Sequence, residues 1–287
     1  MVVLHVKKND SLFLFQTNLE SSVDDTLQSI LFLYNGRLKI ERICSEMRDL
    51  SNHGIYMPLK MHGLLEEQIE ELKLSDDQAA ICTPSGGYHL NPDPCQRRNG
   101  RQPTEAMGEL LERTIQEAKA NISKENVKKN VCLAWSNICE TLETLKGAVT
   151  IVYPMGLPEY DPIRMEFENR EHLAGTQASK EVIDGTQAVL WFATKELARG
   201  KKLSDYLGKN EKSKVVIKLS TKSEGQPVRE PVFSEEEQKR LMIANHKRRE
   251  EMMALDKASD DSYLNSPWAN PNALKSRMQG INNVHWK

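Results

Sequence analysis

GAVTIVYPMGLPEYDPIRMEFEN, residues Gly147 to Asn169, concentrates more strand and turn signals than any other part of the chain. Ala148 to Tyr153 is a β-branched run of strand length. Pro154, Gly156, Pro158 and Pro162 then interrupt the backbone. Proline lacks an amide donor and pushes its predecessor toward extended geometry. The chain returns as Ile163 to Glu168, with Ile163, Met165 and Phe167 alternating against Arg164, Glu166 and Glu168. That alternation is the mark of a half-buried strand. The pattern predicts the sheet here, with strands near 149–153 and 163–167.

Working outward, Val2 to Val6 and Leu12 to Gln16 are apolar-rich runs joined by a polar turn, which reads as a hairpin. Ser21 or Ser22 caps a following helix whose Val23, Leu27, Ile30, Leu31 and Tyr34 share one face. Asn35-Gly36 supplies a left-handed stop. Hairpin then helix is the opening of a β-grasp (ubiquitin-like) domain. The expected class is therefore α+β, a small mixed sheet with a long helical insertion over about 38–146. Within the insertion, Ile40, Ile43, Met47 and Leu50 predict a second helix ended by Gly54, and Leu64 to Leu74 an acidic third. Residues 82–103 read as one long loop, functional or mobile. Thr104 caps a helix carrying Leu111, Ile115 and Ala118, and Ile138, Leu142 and Leu145 line another that Gly147 ends.

Beyond Asn169, a helix is expected from about Thr176 to Arg199, and Val215 to Leu219 reads as a last strand. The organisation expected is an α+β domain over 1–170, a helix and strand over 171–220 packed on it, and a linker over 221–233. An extended arm then covers 234–287. In the arm, Ser234 and Glu237 form a capping box for a helix to about Leu255. Its charges surround the whole circumference, leaving a weak stripe of Leu241, Met242, Met252 and Met253. Tyr263, Leu264, Trp268 and Trp286 follow in a polar tail.

Composition narrows the function classes. A formal net charge of -2 carries no nucleic-acid footprint. No apolar run approaches the roughly 18 residues of a membrane span, and the amino terminus lacks a signal-peptide pattern, which points to a cytosolic chain. Five cysteines, Cys44, Cys82, Cys95, Cys132 and Cys139, show no CxxC pair, so reduced thiols are expected. Cys82, His89 and Cys95 match no common metal-site spacing, and no metal or cofactor is expected. The chain lacks GxGxxG, GxxxxGK[ST], HExxH and GxSxG, so no catalytic residue is assigned.

Docking surfaces are what remains. Trp268 and Trp286 have no core of their own, and tryptophan is enriched at binding hot spots; the other reading packs the tail back on its own domain. Tyr263, Leu264, Leu241 and Met252 join them as candidate partner contacts. Lys201, Lys202, Lys209, Lys212 and Lys214 form either a contact for an acidic partner such as a tubulin tail or a solvated turn.

Read together, YPMGLPEYDPIRMEFEN at Tyr153 to Asn169, KLSDYLGKNEK at Lys202 to Lys212 and YLNSPWA at Tyr263 to Ala269 give the chain a family likeness. It resembles the Kurly family of cilia- and flagella-associated proteins. The likeness also takes in LHVK at Leu4, YNGRLK at Tyr34, CSEM at Cys44, Pro84 to Gly87 and Arg97 to Gly100, and so covers essentially the whole chain. The resemblance implies a non-enzymatic protein needed for motile cilia. It implies a role in cytoplasmic assembly of axonemal outer dynein arms, and in placing and orienting cilia. Implied partners are dynein assembly factors and chaperones, or axonemal components. The family offers no catalytic residue to carry over.

Overall fold

The computed structural model describes residues 1–64, 66–208, 210–211, 213–227 and 235–258. The chain divides into two compact units, residues 1–227 and 228–287. In the first unit, β1 (Val2–Lys8) and β2 (Ser11–Thr17) form the expected hairpin. Lys8 opposes Ser11, so Asn9 and Asp10 make a two-residue loop, with Asn9 left-handed at φ 47°. Val2, Leu4 and Val6 are buried in strict alternation, as a one-sided strand requires.

Helix α1 (Val23–His53) begins where Ser22 predicts: the Asp25 amide donates to the Ser22 hydroxyl at 3.0 Å. It does not stop at Asn35-Gly36. The two expected helices are one, 31 residues long, ended by Gly54 at φ 78°. Gly36 stays helical because a neighbour needs its missing side chain: an added Cβ would lie 2.9 Å from Ile138 Cγ2 and 3.3 Å from Trp135. Asn35 is used just as specifically. Its side-chain amide donates to the Ile183 carbonyl at 3.0 Å and its oxygen accepts from the Ile183 amide at 3.3 Å. Arg37 is buried and donates to the Ser11 hydroxyl at 2.8 Å and the Ile122 carbonyl at 2.9 Å.

After α1 come a 3₁₀ turn (Leu59–Met61), α2 (Glu66–Glu71) and α3 (Asp77–Ile81). Strands β3 (Tyr88–Leu90) and β4 (Arg101–Pro103) then form a small separate hairpin. The long loop is thereby tied down. Asn91 donates to the Asn52 carbonyl at 3.0 Å, and the Cys95, Arg97 and Arg98 amides all donate to the Asp93 carboxylate. Helices α4 (Glu105–Asn121), α5 (Glu125–Lys128) and α6 (Trp135–Val152) follow, with α1, α4 and α6 packed on one another.

The strands expected at 149–153 and 163–167 are helices. Residues 149–152 belong to α6, because Ile138, Thr141, Leu145, Ala148, Val149 and Val152 continue one buried face at three- and four-residue spacing. Packing of that face outweighs the strand preference of a β-branched run. Gly147 costs about 1 kcal/mol inside a helix and does not end it. Residues 163–167 belong to α7 (Pro162–Phe167), whose start is set by Asp161 at the N-cap and Pro162 at the first turn. Ile163 and Glu166 face inward and Phe167 is half-buried. Six residues are too few to separate a period of 2 from one of 3.6.

The helix expected at 176–199 is also replaced. A single turn, α8 (Ala178–Glu181), precedes β5 (Ala188–Phe192) and β6 (Lys195–Glu196). Their hairpin turns at Ala193 and Thr194, both with positive φ (45° and 73°). Two non-glycine residues in that region carry no Asn-Gly signature, so the sequence gives no warning. After α9 (Ser204–Leu207), β7 (Lys214–Thr221) realises the predicted last strand. The sheet order is β2-β1-β7-β5-β6, with β1 and β7 parallel and the other pairs antiparallel. The class is α+β, and this order is compatible with a β-grasp sheet completed by residues 188–221. In the second unit, α10 (Glu235–Ala258) is the described element.

Gly36→Val should lower stability by about 2 kcal/mol, because the added Cβ alone would lie 2.9 Å from Ile138 Cγ2 and 3.3 Å from Trp135. Ile138→Ala in the same chain should recover part of that loss in urea denaturation. Strictly additive costs would place the close approach elsewhere.

Candidate functional site

The buried polar groups around the start of α7 are engaged in structure, apart from the Tyr153 hydroxyl, which has no hydrogen-bond partner among the described residues. Arg98 is buried and donates to the Gly54 carbonyl at 2.9 Å and to Glu46 Oε2 at 2.6 Å, with its guanidinium 5.6 Å from the Tyr56 ring centre. Asp161 is fully buried, accepting from the Ile163 amide at 2.9 Å and the Tyr56 amide at 3.2 Å. Burial raises its pKa, while the Arg98 charge and both amides pull the other way. Tyr153 lies beside this cluster with its hydroxyl buried, and burial pushes its pKa up. Tyr160 donates to Asp76 Oδ1 at 2.8 Å, where Asp76 caps α3.

The cysteines are equally quiet. Cys44 and Cys82 are buried, and burial raises both thiols, Cys44 to about 11, so neither is poised as a thiolate near neutral pH. Among the described residues no three His, Cys, Asp or Glu side chains converge as a metal site. No described helix is long and apolar enough to cross a membrane.

Of the predicted contact residues, Leu241 and Met252 lie on α10, 50% and 60% exposed. Eleven residues apart, they fall within about 20° of each other around the helix, and Met242 and Met253 repeat the spacing. Tyr263, Leu264, Trp268 and Trp286 lie outside the described residues, as do Lys209 and Lys212. Lys201 is exposed and stacks 5.8 Å from the Tyr206 ring, and the Lys214 ammonium donates to Asn130 at 2.8 Å.

The sequence did not single out an aromatic patch on the first unit. Phe32 and Trp135 are 62% and 50% exposed, with ring centres 6.0 Å apart. Beside them Leu31, Phe32, Ile183 and Arg199 line a concavity of about 400 Å³. The available signal was Phe32 itself, a large aromatic out of phase with the Leu27, Ile30, Leu31, Tyr34 stripe.

Fold and surfaces together define an α+β protein that presents exposed aromatic and methionine-bearing faces. The chain belongs to the family of cilia- and flagella-associated protein 298. The family model of that description matches residues 188–284, from β5 through α10 into the tail. The cilia- and flagella-associated protein 298 of Danio rerio is 51% identical over 287 residues, covering 100% of this chain and 99% of the relative. The Homo sapiens relative is 51% identical over 288 residues with the same coverage, and the Drosophila melanogaster relative 47%. The family has a ciliary or flagellar association and a name that denotes no enzymatic activity. No solved structure is significantly similar to the chain.

Asp161→Ala removes the α7 cap and two buried hydrogen bonds to a carboxylate, and should cost about 3 kcal/mol. Urea unfolding checks this; an unchanged midpoint would mean that the carboxylate does not organise α7.

Proposed function

We propose that the protein acts by contact, without catalysis, as an adaptor or assembly factor for axonemal outer dynein arms. On this reading it works in the cytoplasm and at the ciliary base, serves cilium motility, and contributes to positioning and polarity of cilia. Its partners are dynein assembly factors and chaperones. The family's ciliary association supports the setting. The observation that carries the contact mechanism is α10, where Leu241, Met242, Ile243, Met252 and Met253 are all exposed. Methionine-rich helix faces adapt to partner grooves. The arm over 234–287 is the docking element, with Leu241 and Met252 as helix anchors and Tyr263, Leu264, Trp268 and Trp286 as tail anchors. Tryptophan and tyrosine are among the side chains most enriched at binding hot spots.

A second reading rests on the length of α10. Twenty-four helical residues extend about 36 Å, enough to lie along an axonemal partner as a fixed structural component. Fractionation of ciliated cells separates the two. An assembly factor stays in the detergent-soluble cytoplasm, whereas a structural component remains with demembranated axonemes.

Removing residues 231–287 should leave the remainder folded with an undiminished melting temperature while abolishing co-purification of the dynein assembly machinery. Trp268→Ala alone should weaken that association without changing stability. Aggregation of the truncated chain, or a melting temperature several degrees lower in Trp268→Ala, would place the arm in the core and end the docking reading.

A further inference from the structure

The turn between α6 and α7 frames a second concavity, of about 290 Å³, on the first unit. Val149, Tyr153, Leu157 and Phe167 give it apolar walls, and exposed Met155 stands at its edge. Lys146, Arg164 and Glu168 complete the lining. Glu168 accepts from Arg164 Nε at 2.9 Å and pairs with Arg170 Nη2 at 2.7 Å. The hydrogen bond from Arg164 and the charges of Arg170, Arg164 and Lys146 hold the Glu168 carboxyl below its ordinary pKa. The concavity is thus lined by two cations and one carboxylate, an excess of one positive charge, and Arg170 adds a third cation where it pairs with Glu168.

We propose that this groove docks an acidic segment of a partner protein, seating one bulky apolar side chain between flanking carboxylates. Glu168 stands in for such a carboxylate: its pairing demonstrates that Arg164 and Arg170 reach a carboxylate at the rim. The excess charge attracts further acid, and apolar surface flanked by cations favours a segment alternating acidic with bulky apolar residues. The volume lies just under the roughly 300–1,000 Å³ of small-molecule pockets, the scale of one or two large side chains. The groove is lined by residues of the first unit, and the inference stands or falls independently of the docking reading of the arm.

The test uses the full chain and a fluorescent peptide, Glu-Glu-Phe-Glu-Glu, read by anisotropy. Binding should saturate, weaken as salt rises, and be lost when the phenylalanine is replaced by serine. Lys146→Glu, an exposed helix position, should weaken binding about tenfold with an unchanged melting temperature. Glu168→Gln should tighten it about threefold, because Arg164 and Arg170 are released for the incoming acid. Any of three outcomes overturns the inference: equal binding of Lys-Lys-Phe-Lys-Lys, indifference to both substitutions, or no saturable binding of the acidic peptide. Competition by anionic vesicles but not by the unlabelled acidic peptide would likewise overturn it, assigning the cations to a lipid surface.

Discussion

Three consecutive residues in the middle of α1 hold the first unit together. Asn35 grips both backbone groups of Ile183, just before the strands that complete the sheet. Gly36 lets α6 come within contact of the α1 backbone. Arg37 joins the Ser11 end of the first hairpin to the last carbonyl region of α4. The sheet, the insertion and the returning strands therefore meet on one helical turn. If α1 broke there, each of these contacts would lose its geometry together, since the step of about 100° per residue is what aims the Asn35 side chain, the bare Gly36 backbone and the Arg37 side chain in different directions. A continuous α1 is the constraint from which the architecture follows.

The same economy explains where function is to be sought. Buried ionisable groups are costly unless paired and hydrogen-bonded. Arg98, Glu46 and Asp161 meet that requirement by fixing α1's end, the 82–103 segment and α7 to one another, so their chemistry is spent on structure. What remains available to a partner lies outside. On the first unit these are the Phe32–Trp135 patch and the cation-flanked groove beside Phe167, and on the second the exposed apolar residues of α10.

Much of the fold was legible where a local signal and a tertiary need coincide. The first hairpin, the Ser22 cap, the Gly54 end of α1, α4 and β7 are such places. The misread segments share a physical cause. Asn-Gly is a helix stop only when nothing packs on it, and here Ile183 and Ile138 both do. The β-branched run at 149–152 is helical because its buried face continues that of Ile138 and Leu145. Asp161-Pro162 is as good a helix start as it is a turn, and Ala193-Thr194 turns a hairpin without any residue that advertises it. For the candidate site, the exposure of Leu241 and Met252 followed from a helix charged on every side. Phe32 and Trp135 were hidden because an apolar residue off the core stripe looks incidental until its neighbour is known.

Hydrogen exchange along α1 tests the continuity of that helix most directly. Amides from Tyr34 to Leu38 should exchange as slowly as those of Ile30 and Ile43, opening only with the whole unit. A window of rapid exchange over residues 35–38 between two protected flanks would show two helices meeting at Asn35-Gly36, and would contradict the account.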